Sequence, residues 1–206
     1  MSRDSNPPKE SLATVVAELG VAEETPPDRP ISKGRILEVM KSHDIEVLGA
    51  VYKFVTNKGR SKAIRPALQL EDYYRFMTHY YERCFREDPK GEWADSRYLA
   101  GWGLVNWFVS LWNDKEVPRY TIANLKDWLA RLYREGDDDL RTCMETATLE
   151  HLFERKKIRK YFADWNDDPI LGVAFKGASA WVEGGGKTPL GKREWFRKAK
   201  AAERKS

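Results

Sequence analysis

Three polar side chains near the end of one predicted helix are the residues most able to do chemistry. Glu150, His151 and Glu154 lie in a segment whose apolar residues recur at helical spacing. His151 and Glu154 are three positions apart, so on a helix they are neighbours that can share a proton or a metal ion. A protein metal site needs three or four ligands, and only two are visible here. The same pattern fits a buried polar network that orients packed helices.

An apolar stripe runs along this helix and ends at the polar cluster. At about 100° per residue, three apolar residues fall on one line with His151, namely Leu140, Met144 and Ala147. Three further apolar residues face the opposite way, namely Leu149, Leu152 and Phe153. We therefore expect a helix from about Asp138 to beyond Phe153 whose end is covered on both sides.

Other arrangements that are typical of enzymes are incomplete in this sequence. A di-iron helical bundle needs Glu-x-x-His on two helices, but Thr148 and Phe76 stand three residues before His151 and His79. The segment 184–188 ends like a phosphate-binding loop, yet a tryptophan occupies the position of its first glycine. We therefore predict no catalytic residue, no metal and no cofactor, and we favour a binding protein over an enzyme.

The chain is rich in aromatic residues, with eight Trp, nine Tyr and eight Phe. Some of these rings are expected to line a groove or an interface, where Tyr and Trp supply a large contact area with a polar end. We select Tyr73 and Tyr80 as exposed binding residues. The alternative is a core rich in large rings.

The net charge of +4 at pH 7 hides a division along the chain. Residues 31–68 hold eight basic and three acidic side chains, and residues 184–206 hold eight and two. Residues 69–183 hold 17 basic side chains against 21 acidic ones. An anionic partner would therefore meet the basic stretches, and the acidic body would serve a different partner.

The C-terminal tail mixes basic residues with aromatic rings. Its candidates for contact with nucleic acid are Lys192, Arg193, Trp195, Arg197 and Lys198. Basic side chains neutralise phosphates, and aromatic rings stack on bases. A solvated tail that docks its rings on the body is the alternative.

The elements that position these residues are helices. We predict an all-α fold, a single compact bundle of about six to eight helices, because no alternating strand pattern of useful length occurs. Residues 1–30 are predicted as a flexible, disordered N-terminal segment with one short helix. Residues 31–183 form the helical domain, and residues 184–206 form a Gly-rich linker and the basic tail.

Individual residues predict where several helices begin and end. Ser11 caps the short N-terminal helix, and Gly20 stops it. Asp44 and Thr121 are predicted to cap two later helices. The segment from about residue 95 to residue 112 is apolar all round, which is typical of a buried helix, and no stretch reaches the roughly 18 apolar residues of a membrane span.

The two cysteines indicate a reducing compartment. Cys84 and Cys143 both fall in helical patterns, where a free cysteine usually behaves as a small buried hydrophobe. The N-terminus lacks the charged and then apolar arrangement of a secretory signal. We therefore predict a reducing, cytoplasmic location.

Three segments together resemble a known pattern. They are Leu132–Leu140, Thr148–Glu154 and Pro169–Gly172, the last leading to Trp181. In this order they are similar to small all-helical bacterial proteins of unknown function, some of the immunity-protein kind, in which a Gly-Asp turn precedes a helix ending in Leu-Glu-x-Leu. His151 departs from that pattern. The resemblance implies a protein-binding role and carries over no functional residue.

We therefore predict a bacterial, cytoplasmic protein that binds another protein through its acidic, aromatic-rich body, in an immunity-like or antitoxin-like way. The first alternative is association with nucleic acid through the tail and the basic early helices. The second is a metal-assisted enzyme around Glu150, His151 and Glu154. The oligomeric state stays open.

Overall fold

Helices dominate the chain. A computed structural model describes residues 11–22 and 29–185, and within these ranges the only strands are two short ones. The predicted all-α fold class is therefore confirmed. Contacts between residues divide the chain into two compact units, 1–104 and 105–206. The boundary between the units follows Leu104, inside one long helix.

The first unit is built mainly from helices of the N-terminal half. Its elements are α1 (Leu12–Leu19), β1 (Ile31–Ser32), α2 (Lys33–Val39), α3 (Ile45–Val55), a 3₁₀ turn (Arg60–Ala63), β2 (Ile64–Arg65), α4 (Leu70–Glu87) and the first part of α5 (Arg97–Asn113). β1 and β2 pair in parallel, with Ile31 opposite Ile64. Two residues are too few to show an alternating pattern, so the sequence could not predict these strands.

Local signals place the ends of α1 and α3. Ser11 Oγ accepts a hydrogen bond from the amide of Thr14 at 3.2 Å, and Gly20 ends α1 at φ 58°. Asp44 caps α3 by accepting from the amide of Glu46 at 2.9 Å. All three predictions are confirmed. A capping oxygen satisfies an otherwise unpaired amide, and glycine adopts a positive φ without a steric clash.

α1, α3 and α4 form the packed core of the first unit. α3 lies against both of the other helices, and Val15 and Leu19 bury the inner face of α1. Gly49 of α3 allows the backbone at Trp93–Ala94 to cross close to the helix. A Cβ atom on Gly49 would lie 2.4 Å from the backbone nitrogen of Ala94, so no side chain fits there.

The second unit contains the end of α5 and a series of shorter elements. They are α6 (Arg119–Glu135), α7 (Asp138–Cys143), a π turn (Met144–Leu149), α8 (Glu150–Phe153), α9 (Lys156–Tyr161), a 3₁₀ turn (Ala163–Asp167) and α10 (Leu171–Glu183). The predicted stop at Gly136 is confirmed. The predicted cap at Thr121 is wrong, because α6 already begins at Arg119, directly after Pro118.

The helix predicted from about Asp138 to beyond Phe153 is present as far as Phe153, and it is not uniform. α7, the π turn and α8 follow one another without a break, and the helical run ends at Phe153. Asp137 caps α7 by accepting from the amide of Leu140 at 2.8 Å. The widened turn in the middle changes which side chains share a face.

Aromatic rings fill the core of the second unit. Phe162 lies at its centre, with ring centroids 5.8 Å from Phe108, 5.6 Å from Phe153 and 4.8 Å from Trp165. The alternative of a core rich in large rings therefore accounts for much of the aromatic content. α5 buries most of its circumference as predicted, although Asn106 lies exposed. Among the residues described, no helix has both the length and the apolar character needed to cross a membrane.

Candidate functional site

The π turn of the second unit brings together two carboxylates that an α-helix would separate. The amide of Glu150 donates to the carbonyl of Glu145, which is the i to i+5 bond of a π-helix. On an α-helix these residues would point about 140° apart. In the π turn, burial and then the negative charge of Glu145 raise the pKa of Glu150. π turns of this kind are frequent at functional sites.

Glu145 is held in place by the end of α6. The hydroxyl of Tyr133 donates to Glu145 Oε1 at 2.5 Å. Arg141 Nε donates to the carbonyl of Tyr133 at 3.0 Å, and its guanidinium lies 5.8 Å from the centre of the Tyr133 ring. On the side of α10, a Cβ atom at Gly177 would lie 3.5 Å from Glu145 Oε2. The Tyr133 hydroxyl of α6 therefore positions this carboxylate, which lies beside Gly177 of α10.

The protonation of Glu150 is shifted toward neutral pH. Its partial burial, and then the negative charge of Glu145, raise the pKa of Glu150 to about 7. Burial also raises the pKa of Tyr133, and its hydrogen bond to Glu145 adds to the rise. Near neutral pH the carboxyl group of Glu150 therefore gains or loses a proton readily.

A surface cleft of about 430 Å³ opens beside Glu145. Residues from α6, α7, the π turn and the start of α10 line it, namely Tyr133, Asp138, Arg141, Thr142, Glu145, Pro169, Ile170 and Val173. Ile170 is 42% exposed and Val173 is 62% exposed. Few large hydrophobic side chains of the described residues are this exposed, and two of them lie on one edge of this cleft. The α6–α10 cleft therefore has a polar floor and an apolar edge.

Asp168 fixes the position of the apolar edge. Its Oδ1 atom accepts hydrogen bonds from the amides of Ile170 and Leu171, each at 2.9 Å. Arg134 Nη2 donates to its Oδ2 atom at 2.6 Å. The amide of Leu171, followed by Arg134, lowers the pKa of Asp168 to about 2. The edge is therefore anchored to α6 through a carboxylate that stays ionised.

The predicted cluster of Glu150, His151 and Glu154 is only partly assembled. His151 is 3% exposed, and its Nδ1 lies 2.9 Å from Glu154 Oε1. The imidazole meets Trp181 of α10 edge to face at a centroid distance of 5.4 Å. Glu150 interacts instead with Glu145. His151 is thus buried between α8 and α10, whereas Glu154 is exposed, and neither residue lines the α6–α10 cleft.

The described residues hold no group of three or more His, Cys, Asp or Glu side chains that could bind a metal ion. Within these ranges, the second alternative, a metal-assisted enzyme, therefore lacks a ligand set.

The two tyrosines selected as exposed binding residues have different surroundings. Tyr80 is fully buried, so its predicted exposure is wrong. Its ring stacks on Tyr52 at a centroid distance of 4.5 Å, and its hydroxyl accepts from the amide of Asp95 at 2.9 Å. Tyr73 is half-buried, and its hydroxyl hydrogen-bonds with Ser61. Tyr80 shares the inner face of α4 with Phe76, four positions away, whereas Tyr73 lies toward its edge.

The tail candidates Lys192, Arg193, Trp195, Arg197 and Lys198 lie outside the described residues.

Sequence reasoning missed Tyr133, Glu145 and the apolar edge. The only local signal was the pair of glutamates five positions apart, and it has meaning only if a π turn is present. Compared with known proteins, the chain matches no family model, no curated protein and no solved structure.

Proposed function

We propose that this chain acts by binding another protein, and that the partner docks on the α6–α10 cleft. The observation that carries the proposal is the pairing of exposed Ile170 and Val173 with the polar floor at Arg141 and Glu145. Protein interfaces typically combine apolar anchors with a few well-placed polar groups. Contiguous exposed apolar side chains on a folded surface mark such contacts more often than isolated ones do.

The cleft is suited to recognition because its groups are already ordered. Asp168 holds the apolar edge, and Tyr133 holds the carboxylate of Glu145. A partner that binds such a surface loses little affinity to the ordering of side chains. Glu145 and Arg141 offer an acceptor and a donor side by side, so the partner would present polar groups of both kinds beside an apolar side chain.

The kind of partner comes from the resemblance to small helical bacterial proteins. An immunity-like or antitoxin-like role would make the partner a protein toxin, bound in a bacterial cytoplasm. The two free cysteines among the described residues, Cys84 and Cys143, are buried, which suits a reducing compartment. This assignment extends the binding proposal, and the experiment below tests the binding surface first.

The test compares substitutions at the apolar edge with one elsewhere on the same unit. The chain carrying Ile170→Asp and Val173→Asp is used to capture proteins from an extract of its own cells, beside the unmodified chain. Tyr120→Asp is the control, because Tyr120 is 66% exposed in the same unit and does not line the cleft. Removing interface anchors typically costs about 2 kcal/mol or more, a loss of about 30-fold in affinity.

We expect the partner to be recovered with the unmodified chain and with Tyr120→Asp, and to be lost with the double variant at an unchanged melting temperature. Equal recovery with all three chains would refute the cleft as the docking surface. Deletion of residues 187–206 tests the nucleic-acid alternative through the tail separately.

A further inference from the structure

The turn that follows α3 concentrates positive charge. Between Glu46 and Glu71 the chain has five basic residues and no acidic one, namely Lys53, Lys58, Arg60, Lys62 and Arg65. On α4, by contrast, the exposed arginines are paired with acidic side chains one helical turn away, Arg75 with Glu71 and Arg86 with Glu82. The excess charge of this segment is therefore not balanced by its neighbours in sequence.

The fold exposes three of these cations on one turn. Asn57 Oδ1 accepts hydrogen bonds from the amides of Gly59 and Arg60, which folds the turn back on itself. Lys58 and Lys62 are exposed, and neither forms an ion pair with another described residue. Arg65 is exposed as well, and its Nη1 donates to the carbonyl of Lys62, which brings it beside that lysine.

The strand pair adds a fourth cation. Because β1 and β2 run parallel with Ile31 opposite Ile64, residue 29 and residue 62 lie at the same end of the pair. Arg29 is exposed. The macrodipole of α3 favours positive charge within its last turn only, so it does not account for four cations spread from residue 29 to residue 65.

An aromatic ring borders this surface. Tyr73 of α4 is half-buried, and its hydroxyl is held by Ser61 in the middle of the turn. Residues 56–67 expose no large hydrophobic side chain. The surface therefore offers charge and one fixed ring, without the apolar anchors that insertion into a membrane or docking on an apolar protein face would use.

We infer that the basic turn, defined by Arg29, Lys58, Lys62 and Arg65, binds the phosphate backbone of single-stranded nucleic acid, with Tyr73 as a stacking surface for a base. The inference does not depend on the proposed function, which uses the second unit. Sites for single strands combine a positively charged track with aromatic side chains, and each stacked base contributes about 1–3 kcal/mol.

The test measures fluorescence anisotropy of a labelled oligouridylate of about 12 nucleotides, a length within the usual site size for single strands. Four phosphate contacts predict a salt slope of about −2.8, so that affinity falls about 50-fold between about 50 and 200 mM salt. The full chain carrying Lys58→Glu and Lys62→Glu is compared with the control Lys156→Glu and Lys157→Glu. The control pair is exposed on α9 and makes the same change of charge.

We expect the first variant to weaken binding on the order of 50-fold at about 50 mM salt and to lower the slope by about 1.4. The control should keep most of the affinity. Tyr73→Phe keeps the ring and should bind normally, whereas Tyr73→Leu should weaken binding about 5-fold or more with an unchanged salt slope.

The inference is overturned if the oligonucleotide does not bind, or if the two double variants lose affinity equally while their melting temperatures match that of the unmodified chain. Preference for a duplex of the same length would refute the single-stranded assignment. Loss of a captured protein partner on Lys58→Glu and Lys62→Glu, without loss of oligonucleotide binding, would assign the surface to a protein instead.

Discussion

The carboxyl group of Glu150 should make the stability of the second unit depend on pH. The pKa of Glu150 is raised from 4.5 to about 7 in the folded chain. The folded state therefore binds the proton more tightly than the unfolded state does. The stabilisation is complete below about pH 4.5 and is lost as the pH rises toward 7 and above. Glu150→Gln keeps the shape of the protonated carboxyl group and removes the charge.

The size of this stabilisation follows from the shift in the pKa of Glu150. About 2.5 pKa units at 1.36 kcal/mol each would give roughly 3.4 kcal/mol as an upper bound. Glu150 is only half-buried, and solvent screens its interaction with Glu145, so we expect about 1 kcal/mol. For a chain of this length, that corresponds to a rise in Tm of about 2–4 °C for Glu150→Gln at about pH 8.5.

The assay is thermal unfolding followed by circular dichroism across about pH 4 to pH 8.5. We expect the Tm of Glu150→Gln to equal that of the unmodified chain at the acidic end and to exceed it at the alkaline end. Glu145→Gln removes the second charge and should reduce the pH dependence. Glu116→Gln, at an exposed glutamate of the same unit, is the matched control. Parallel Tm profiles for the Glu150→Gln and unmodified chains would refute the reasoning.

Three further substitutions or deletions test other parts of the structure. Gly49→Ala should lower the free energy of unfolding by about 1–3 kcal/mol in urea titrations, because the new Cβ atom meets the backbone at Ala94. An unchanged urea midpoint would contradict the close packing of Gly49 against that backbone. His151→Ala should lower the free energy of unfolding by about 2 kcal/mol, because it removes a buried ring and its bond to Glu154. Partner capture through the cleft should persist. Loss of capture at full stability would make His151 a binding residue. Deleting residues 187–206 tests whether the tail binds nucleic acid. Salt-sensitive binding that disappears with the deletion supports this alternative. Binding that survives the deletion shows that another part of the chain binds the nucleic acid.

Local structure was predictable wherever one or two side chains decide it. Ser11 and Asp44 cap helices because their oxygens reach unpaired amides a few residues ahead, and Gly20 stops a helix because it tolerates a positive φ. Apolar spacing predicted helices over most of the chain, since the period of about 3.6 residues appears directly in the sequence. Thr121 does not cap α6, because this helix begins earlier, at Arg119.

The candidate site was less predictable, because it depends on a change of helical period. A uniform wheel groups Glu150 with His151 and Glu154, whereas the π turn brings Glu150 beside Glu145. The predicted exposure of Tyr80 was wrong for a related reason. Aromatic residues on an amphipathic helix differ in burial according to the helices that pack against them.

By itself, the sequence determined the all-α class, several helix ends and the uneven distribution of charge, because these properties depend on residues close together in the chain. Tertiary structure alone decided the pairing of Glu145 with Tyr133, the exposure of Ile170 beside them and the placing of Tyr73 next to the basic turn. Each of these joins residues from different elements. Their contact depends on how whole helices pack, and no local spacing encodes that packing.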